Sequence, residues 1–322
     1  MIGDCFERMG ELPDGSVDAV VTDPPYFNVK PDDWDNQWRS ETEFLDWIGR
    51  LCAEWFRLLK PNGSLYVFAS AQRSARVEVK ISESFNVLNR ITWRKHDGTA
   101  NKGGTWCRTD KKALRSFFPA SESIIFAEHY GADNMAKGET GWVAKCDDLR
   151  GFVFEPLRAY LDGEWKRAGL KREDADEACG TVTMARSHFF SSSQWQLPTE
   201  RNYNALRRYA NARGGGFLRR EYEDLRRPFN VLPDAQFVDV WEFKTVSAYP
   251  GKHPCEKPVD LMRHIVSTST RPGMTVLDCF MGSGSTGVAC ALEGREFIGI
   301  ERDKGYFTTA EQRIRGTEPP IF

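Results

Sequence analysis

The chain has 322 residues, 40% of them hydrophobic, and carries 44 Lys and Arg against 46 Asp and Glu for a formal net charge of −2. That length suits one large domain or two modest ones, and the charge balance excludes a polycation, so a nucleic-acid site has to be a local patch. No window approaches the roughly 18 unbroken apolar residues of a membrane span, the opening MIGDCFERMGELPDG lacks a signal peptide's basic flank and apolar core, and the cysteines at 5, 52, 107, 146, 179, 255, 279 and 290 form no C-x-x-C, so a soluble cytoplasmic protein with reduced thiols and no metal is expected.

The first 128 residues alternate between strand and helix patterns. DAVVT (18–22) reads as a short buried strand and runs directly into DPPY (23–26). A helix is predicted over 40–60: Ser40 and Glu43 make a capping box, Phe44, Trp47, Ile48, Leu51, Trp55, Phe56 and Leu59 keep helical spacing, and PNG (61–63) stops it. SLYVFA (64–69), VLNRITW (87–93) and ESIIFAE (122–128) read as strands, which suggests a parallel sheet with crossover helices. Between the last two lies a basic stretch with Arg94, Lys95, Lys102, Arg108, Lys111, Lys112 and Arg115, interspersed with Gly98, Gly103 and Gly104, which reads as a mobile loop. Residues 130–237 are polar and arginine-rich and read as an insertion outside the sheet. Alternation resumes after it: Trp241 and Phe243 mark a strand re-entering the sheet, followed by a helix over 258–267, a strand over 274–278, a glycine-rich turn, a helix near 285–293, a strand over 296–301 and a helix over 304–315.

The turn DCFMGSGSTG (278–287) places Gly282, Gly284 and Gly287 at G-x-G-x-x-G spacing between a strand and a helix. Such a turn lets backbone approach a ligand and aims helix N–H groups at anionic atoms. Glu301 ends the next strand, where a carboxylate can accept both hydroxyls of a ribose, so an adenosine-type ligand is expected. A nicotinamide dehydrogenase is argued against by position: only about 50 residues follow Met274, too few for a dinucleotide-binding fold, so the sheet has to be completed from the N-terminus. Asp278, directly before the turn, suits a ligand with an ammonium group, and an amino acid joined to adenosine is S-adenosylmethionine.

DPPY (23–26), HPCEKP (253–258), LDCFMGSGSTG (277–287) and FIGIERD (297–303), in this order, resemble the β-class amino-methyltransferases of DNA. The resemblance covers roughly residues 2–128 and 238–315 and leaves the middle unmatched. It implies an α/β, Rossmann-like methyltransferase fold: a mostly parallel seven-stranded sheet, a circularly permuted motif order and a largely helical target-recognition insertion. The corresponding domains are 1–129 (catalytic half), 130–237 (target recognition) and 238–322 (cofactor half). It also implies roles. Asp4 and Cys5 match the segment at the cofactor adenine, Glu301 the ribose ligand, and Asp278, Phe280, Gly282, Ser283, Gly284 and Thr286 the loop around the methionine moiety. Lys257 matches a position near the methionine carboxylate. Asp23, Pro24, Pro25 and Tyr26 match the catalytic loop. There Asp23 and the Pro24 carbonyl accept the two N–H groups of the target amine, the prolines stiffen the loop, Tyr26 stacks on the base and Phe27 extends that wall. Asp at position 23 resembles the adenine-N6 enzymes, whereas the N4-cytosine enzymes more often carry Ser; N4-cytosine methylation, RNA methylation and a non-catalytic DNA-binding regulator remain the alternatives. Double-stranded DNA is the implied partner, with the target base flipped from the helix. A homodimer is expected from the resemblance, a bacterial or phage origin is implied, and nothing in the sequence indicates a restriction endonuclease partner.

Within the insertion, residues 170–189 resemble a helix-turn-helix: Leu170 starts it, Gly180 falls at the turn, and a second helix from about 183 to 190 would present Arg186, Ser187 and His188 to a major groove. Asp176 stands where that motif usually has alanine. A plain helical hairpin is the alternative. Arg207, Arg208 and Arg213, among further arginines and the aromatics Tyr203 and Tyr209, suit phosphate contacts, although neighbouring acids also fit a solvated helical face.

Overall fold

The computed structural model describes residues 1–29, 33–96, 112, 115, 117, 120–129, 155–191, 195–212, 214–225, 228–231 and 235–317. Its elements, in chain order, are helix α1 (Cys5–Gly10), strand β1 (Val17–Thr22), α2 (Glu41–Leu58), β2 (Leu59–Ser70), α3 (Ser74–Ser82), β3 (Asn86–His96) and β4 (Ser121–Glu128). Four helices follow, α4 (Glu155–Arg167), α5 (Arg172–Cys179), α6 (Met184–His188) and α7 (Glu200–Asn211). The chain then runs through β5 (Val240–Lys244), α8 (Val259–Ser269), β6 (Thr275–Asp278), α9 (Ser285–Leu292), β7 (Glu296–Gly299) and α10 (Lys304–Arg315). It divides into two compact units, Met1–Glu128 with Phe229–Phe322, and His129–Pro228.

The first unit is built on a seven-stranded sheet in the order β5-β3-β4-β2-β1-β6-β7. Among the described residues, β4 alone runs antiparallel to its neighbours; the other pairings are parallel. This is the mostly parallel, circularly permuted sheet implied by the motif order, with one reversed strand. Both faces are covered, so β1 is buried along its whole length. Val17 and Val20 point into a core shared with Ile48, Leu51 and Trp55 of α2 and Val77 and Ile81 of α3. Ala19 and Val21 point into a second core with Leu261 and Ile265 of α8 and Ala289 and Cys290 of α9.

Helix α2 starts as its sequence dictates. Ser40 Oγ accepts from Glu43 N–H at 3.1 Å, while the Glu43 carboxylate reaches back to Arg39 N–H at 2.8 Å, one residue before the position of an ideal capping box. The strand after it begins at Leu59 rather than 64, so PNG lies inside β2. A register shift between Val17 and Ala19 absorbs the extra residues, Val17 pairing with Leu59 and Ala19 with Ser64.

The second unit has its own core, in which Leu161 and Trp165 of α4 meet Ala175, Ala185, Phe190, Tyr203 and Leu206. Helix α5 ends at Gly180 in the left-handed region (φ 65°), the turn a helix-turn-helix needs. Both helices are shorter than the sequence suggests, α5 starting at Arg172 and α6 ending at His188. Asp176 has a structural reason here: its buried Oδ1 accepts from Thr181 Oγ1 at 2.7 Å and from Ala185 N–H at 2.9 Å, tying the turn to the start of α6.

Candidate active site

The parallel strands β1 and β6 are neighbours, so their carboxyl ends lie side by side, where open α/β sheets place ligands. DPPY follows β1 and the glycine turn follows β6. Thr22 and Asp278, the last residues of the two strands, are joined by a 3.0 Å hydrogen bond from Thr22 Oγ1 to Asp278 Oδ1. Around this junction opens a cavity of about 570 Å3, within the size range of small-molecule and cofactor sites. Asp4, Cys5, Asp23, Pro24, Pro25, Tyr26, Lys257, Asp278, Phe280, Gly282, Ser283, Thr286 and Glu301 all line it.

On the β6 side lie the groups that the sequence assigns to the cofactor. The Asp278 carboxylate is buried and accepts from Thr286 Oγ1 at 2.6 Å and Phe280 N–H at 3.1 Å besides Thr22. Burial, only partly offset by these bonds, pushes its pKa up to about 6. A costly buried carboxylate facing a cavity is suited to a cationic ligand group. Glu301 accepts from Gly282 N–H at 2.9 Å through Oε2 and from Asp303 N–H at 2.8 Å through Oε1, which leaves lone pairs on both oxygens for a diol. Asp4 caps α1, accepting from Phe6 N–H at 2.9 Å, and so brings the Gly3–Cys5 backbone to the cavity; the Cys5 thiol, pushed up to about 12 by burial and by Asp4, is no nucleophile. Ser285 Oγ donates to the Lys257 carbonyl at 2.8 Å, fastening the HPCEKP segment to the start of α9.

Two expectations need correction. Gly284 does not reach the cavity. Its φ is 78°, and a Cβ there would lie 2.9 Å from Ala310 Cβ on α10, so glycine is required for the turn and for helix packing. Phe27 does not extend the aromatic wall: it is buried in the core, stacked on Phe44 at 6.0 Å with the Arg73 guanidinium on its ring. The walls instead include Trp34, His253 and Tyr306, with His253 stacked on Trp34 (6.3 Å, 17°) and edge-on to Tyr306 (4.4 Å). Lys257, expected beside a cofactor carboxylate, lines the cavity with its ammonium between the carboxylates of Asp23 and Glu122.

On the β1 side Asp23 is the centre of a charge array. Its Oδ1 accepts from Tyr26 Oη at 2.7 Å and its Oδ2 from Lys257 Nζ. Lys257 Nζ is also 3.3 Å from Glu122 Oε2, and Glu122 Oε1 accepts from Lys95 Nζ. Burial works against charge on Lys257, but the two flanking carboxylates outweigh it and hold the ammonium pKa above its ordinary value. Burial would also raise Glu122, yet Lys257 and Lys95 win and lower it. For Asp23 burial prevails over the pull of Lys257, with a further push from Glu122, and its pKa is raised. Tyr26, buried beside Asp23, is raised well above its ordinary value and keeps its proton. The Tyr26 N–H is held by Asp35 at 2.7 Å, which fixes the loop after the prolines. Glu122, Trp34 and Tyr306 carry no motif of their own, and His253, though it opens HPCEKP, was given no role by the sequence.

In the second unit, Arg186 makes a 3.2 Å ion pair with Asp176, and Ser187 and His188 are half-buried. Arg207 is held in a two-pronged pair by Glu221 at 2.9 and 3.1 Å, and Arg208 is exposed. The structure therefore ties Arg186 and Arg207 to acids instead of presenting them bare. Arg213 lies outside the described residues, as do Lys102, Arg108, Lys111 and the glycines of the basic stretch predicted to form a mobile loop. Of that stretch, Arg94 pairs with Glu242 at 2.5 Å and Lys95 belongs to the cavity. No helix of the described residues is long and apolar enough to cross a membrane.

Comparison with known proteins agrees with this architecture. A Type II methyltransferase of Streptococcus pneumoniae, M2.DpnII, is 26% identical over 97% of this chain and 87% of its own length. A Type II methyltransferase of Haemophilus influenzae, M.HinfI, is 23% identical over 98% and 68%. Among solved structures, the M1.HpyAVI complex with S-adenosylmethionine superposes with a TM-score of 0.52 (21% identity, 97% of each chain). The cytosine-N4-specific PvuII DNA methyltransferase superposes with 0.56 (14% identity, 100% of this chain and 86% of that one). The family model for N6 and N4 methyltransferases, described as DNA methylase, matches residues 17–312. With the DPPY loop and the glycine turn opening on one cavity, and a family match along nearly its whole length, the chain belongs to the S-adenosylmethionine-dependent N6/N4 DNA methylases.

Proposed function

We propose that this DNA methyltransferase acts on the exocyclic N6 amine of an adenine flipped out of duplex DNA. The observation that carries the reading is the carboxylate of Asp23, raised in pKa, on the same cavity as the Asp278–Glu301 cradle. S-adenosylmethionine would sit with its ammonium toward Asp278 and its ribose toward Glu301, and it supplies an electrophilic sulfonium methyl. The amine's lone pair is delocalised into the purine ring, so the residues have to make it available. Asp23 accepts one N–H, and the Pro24 carbonyl, in a loop held by two prolines and the Asp35 bond, accepts the other. Two fixed acceptors favour a tetrahedral nitrogen and stabilise the positive charge that develops on it. Tyr26 keeps the Asp23 carboxylate in place and offers its ring to the base. The proton is lost to Asp23 or water after transfer, so no covalent intermediate with the protein is involved.

A second reading, N4 of cytosine, is favoured by one observation: the cytosine-N4-specific PvuII enzyme shares the fold. Incubating the protein with labelled S-adenosylmethionine and duplex DNA, then separating the nucleosides, decides between them. Label in N6-methyladenine is expected; label in N4-methylcytosine would overturn the adenine assignment. Asp23→Ala is expected to lose transfer by at least about a hundredfold while still binding the cofactor.

A further inference from the structure

We propose that Glu122 is a positioning residue of the transfer site: it takes over the Lys257 ammonium when the target amine engages Asp23. The inference rests on Asp23 being the amine acceptor. Each oxygen of Asp23 already accepts one hydrogen bond here, Oδ1 from Tyr26 and Oδ2 from the Lys257 ammonium. A cation in direct contact with Asp23 cancels its field at the nitrogen, where positive charge has to develop. An amine that approaches Oδ2 thus needs Lys257 to withdraw, and a buried ammonium withdraws only toward another anion.

Glu122 is placed for this. It stands at the start of the reversed strand β4, and its side chain is 14% exposed beside a Lys257 side chain that is 8% exposed. Its Oε1 is held by Lys95, which fixes the carboxylate. Its Oε2 is buried, accepts no hydrogen bond, and lies 3.3 Å from Lys257 Nζ. A small swing of the flexible lysine tip converts that contact into a hydrogen bond as the bond to Asp23 opens. The ammonium stays compensated in both positions, and Asp23 is freed without exposing an unpaired charge.

Glu122→Gln keeps the shape and removes the charge. The groups facing Asp23 are Lys257, Glu122, Tyr26 and, across from β6, Asp278, with Lys95 behind Glu122 and Cys255 beside Lys257. Glu122 pushes the Asp23 pKa up, so its neutralisation moves Asp23 down. The acidic limb of kcat/KM for DNA should then shift to lower pH, while kcat falls by about tenfold or more because Lys257 stays on Asp23. Cofactor affinity by calorimetry should stay within about threefold, which also reports a folded site. Glu122→Asp keeps the charge but shortens the reach, so it should lower kcat with the limb in place. Wild-type kcat in either variant, or an unmoved limb in Glu122→Gln, overturns the inference. So does a tenfold change in cofactor affinity with kcat retained, because Glu122 would then serve the cofactor. Asp23→Ala run in parallel separates the two levels: if it is inactive while Glu122→Gln behaves as wild type, only the inference fails, and if it is active, the reading beneath it fails too.

Discussion

Replacing Asp278 by Asn should stabilise the free protein and weaken cofactor binding together. Burial holds this carboxylate at about 6 against an ordinary 3.8. At 1.36 kcal/mol per pKa unit the ionised group costs the fold about 3 kcal/mol at pH 8, an upper bound because local relaxation lowers it. The folded pKa is the raised one, so the folded state holds the proton more tightly. The cost is therefore fully present above pH 6, drops to about half at pH 5, and vanishes below the unfolded value near 3.8. Asparagine fits the same bonds. Its oxygen can accept from Thr22 Oγ1 and Phe280 N–H, and its amide can donate to Thr286 Oγ1 once that hydroxyl turns. Thermal unfolding at pH 8 should rise by about 3–6 °C, from about 1–2 kcal/mol after relaxation. The gain over wild type should shrink between pH 8 and pH 5; other groups titrate in both proteins and cancel from the difference. Calorimetry should show S-adenosylmethionine bound about ten- to a hundredfold more weakly, the loss of a charge-assisted bond to its ammonium. A stability difference that does not change with pH would show that Asp278 carries no uncompensated charge, and an unchanged cofactor affinity would remove it from the cradle.

Two further substitutions test the corrected roles. Gly284→Ala should cost about 2 kcal/mol or more, since the new Cβ would meet Ala310 at 2.9 Å and the backbone is at φ 78°. A melting temperature within a degree of wild type would refute that. Asp176→Ala should cost the second unit about 1–3 kcal/mol by removing the buried acceptor shared by Thr181 Oγ1 and the Ala185 N–H. Limited proteolysis should then cut the His129–Pro228 unit earlier while cofactor affinity is unchanged; equal resistance would reduce Asp176 to a bystander.

The glycine turn after β6 and the carboxylates flanking it were legible because their pattern is local. A strand of apolar residues, a glycine that has to be left-handed, and a carboxylate at a strand end need no partner far away in sequence to be recognised. The same holds for DPPY, where the proposed acceptor, stiffness and ring lie in four residues. Helices α1 and α3 escaped for the opposite reason. Helix α1 has six residues, too few for periodicity, and α3 buries only Ser74, Val77 and Ile81. The insertion's helices are similarly muted by polar faces; α7 hides only Tyr203, Leu206 and Ala210.

Glu122 and Lys95 were illegible for a topological reason. SESIIFAE reads identically whichever way the strand runs, because a buried strand's pattern carries no direction. Placed parallel to its neighbours, Glu122 would begin β4 at the far edge of the sheet, away from every motif. Run antiparallel, the same first residues fall at the carboxyl edge: Glu122 lies opposite Ser70 at the end of β2 and opposite Trp93 on β3. Lys95, two residues further along β3, comes to the same edge, although its neighbours in sequence suggested a loop. A single reversed strand thus delivers a carboxylate to a site where Asp23 and Asp278 lie at the ends of parallel strands. It puts that carboxylate against Lys257, 135 positions later, a side chain that also holds Asp23.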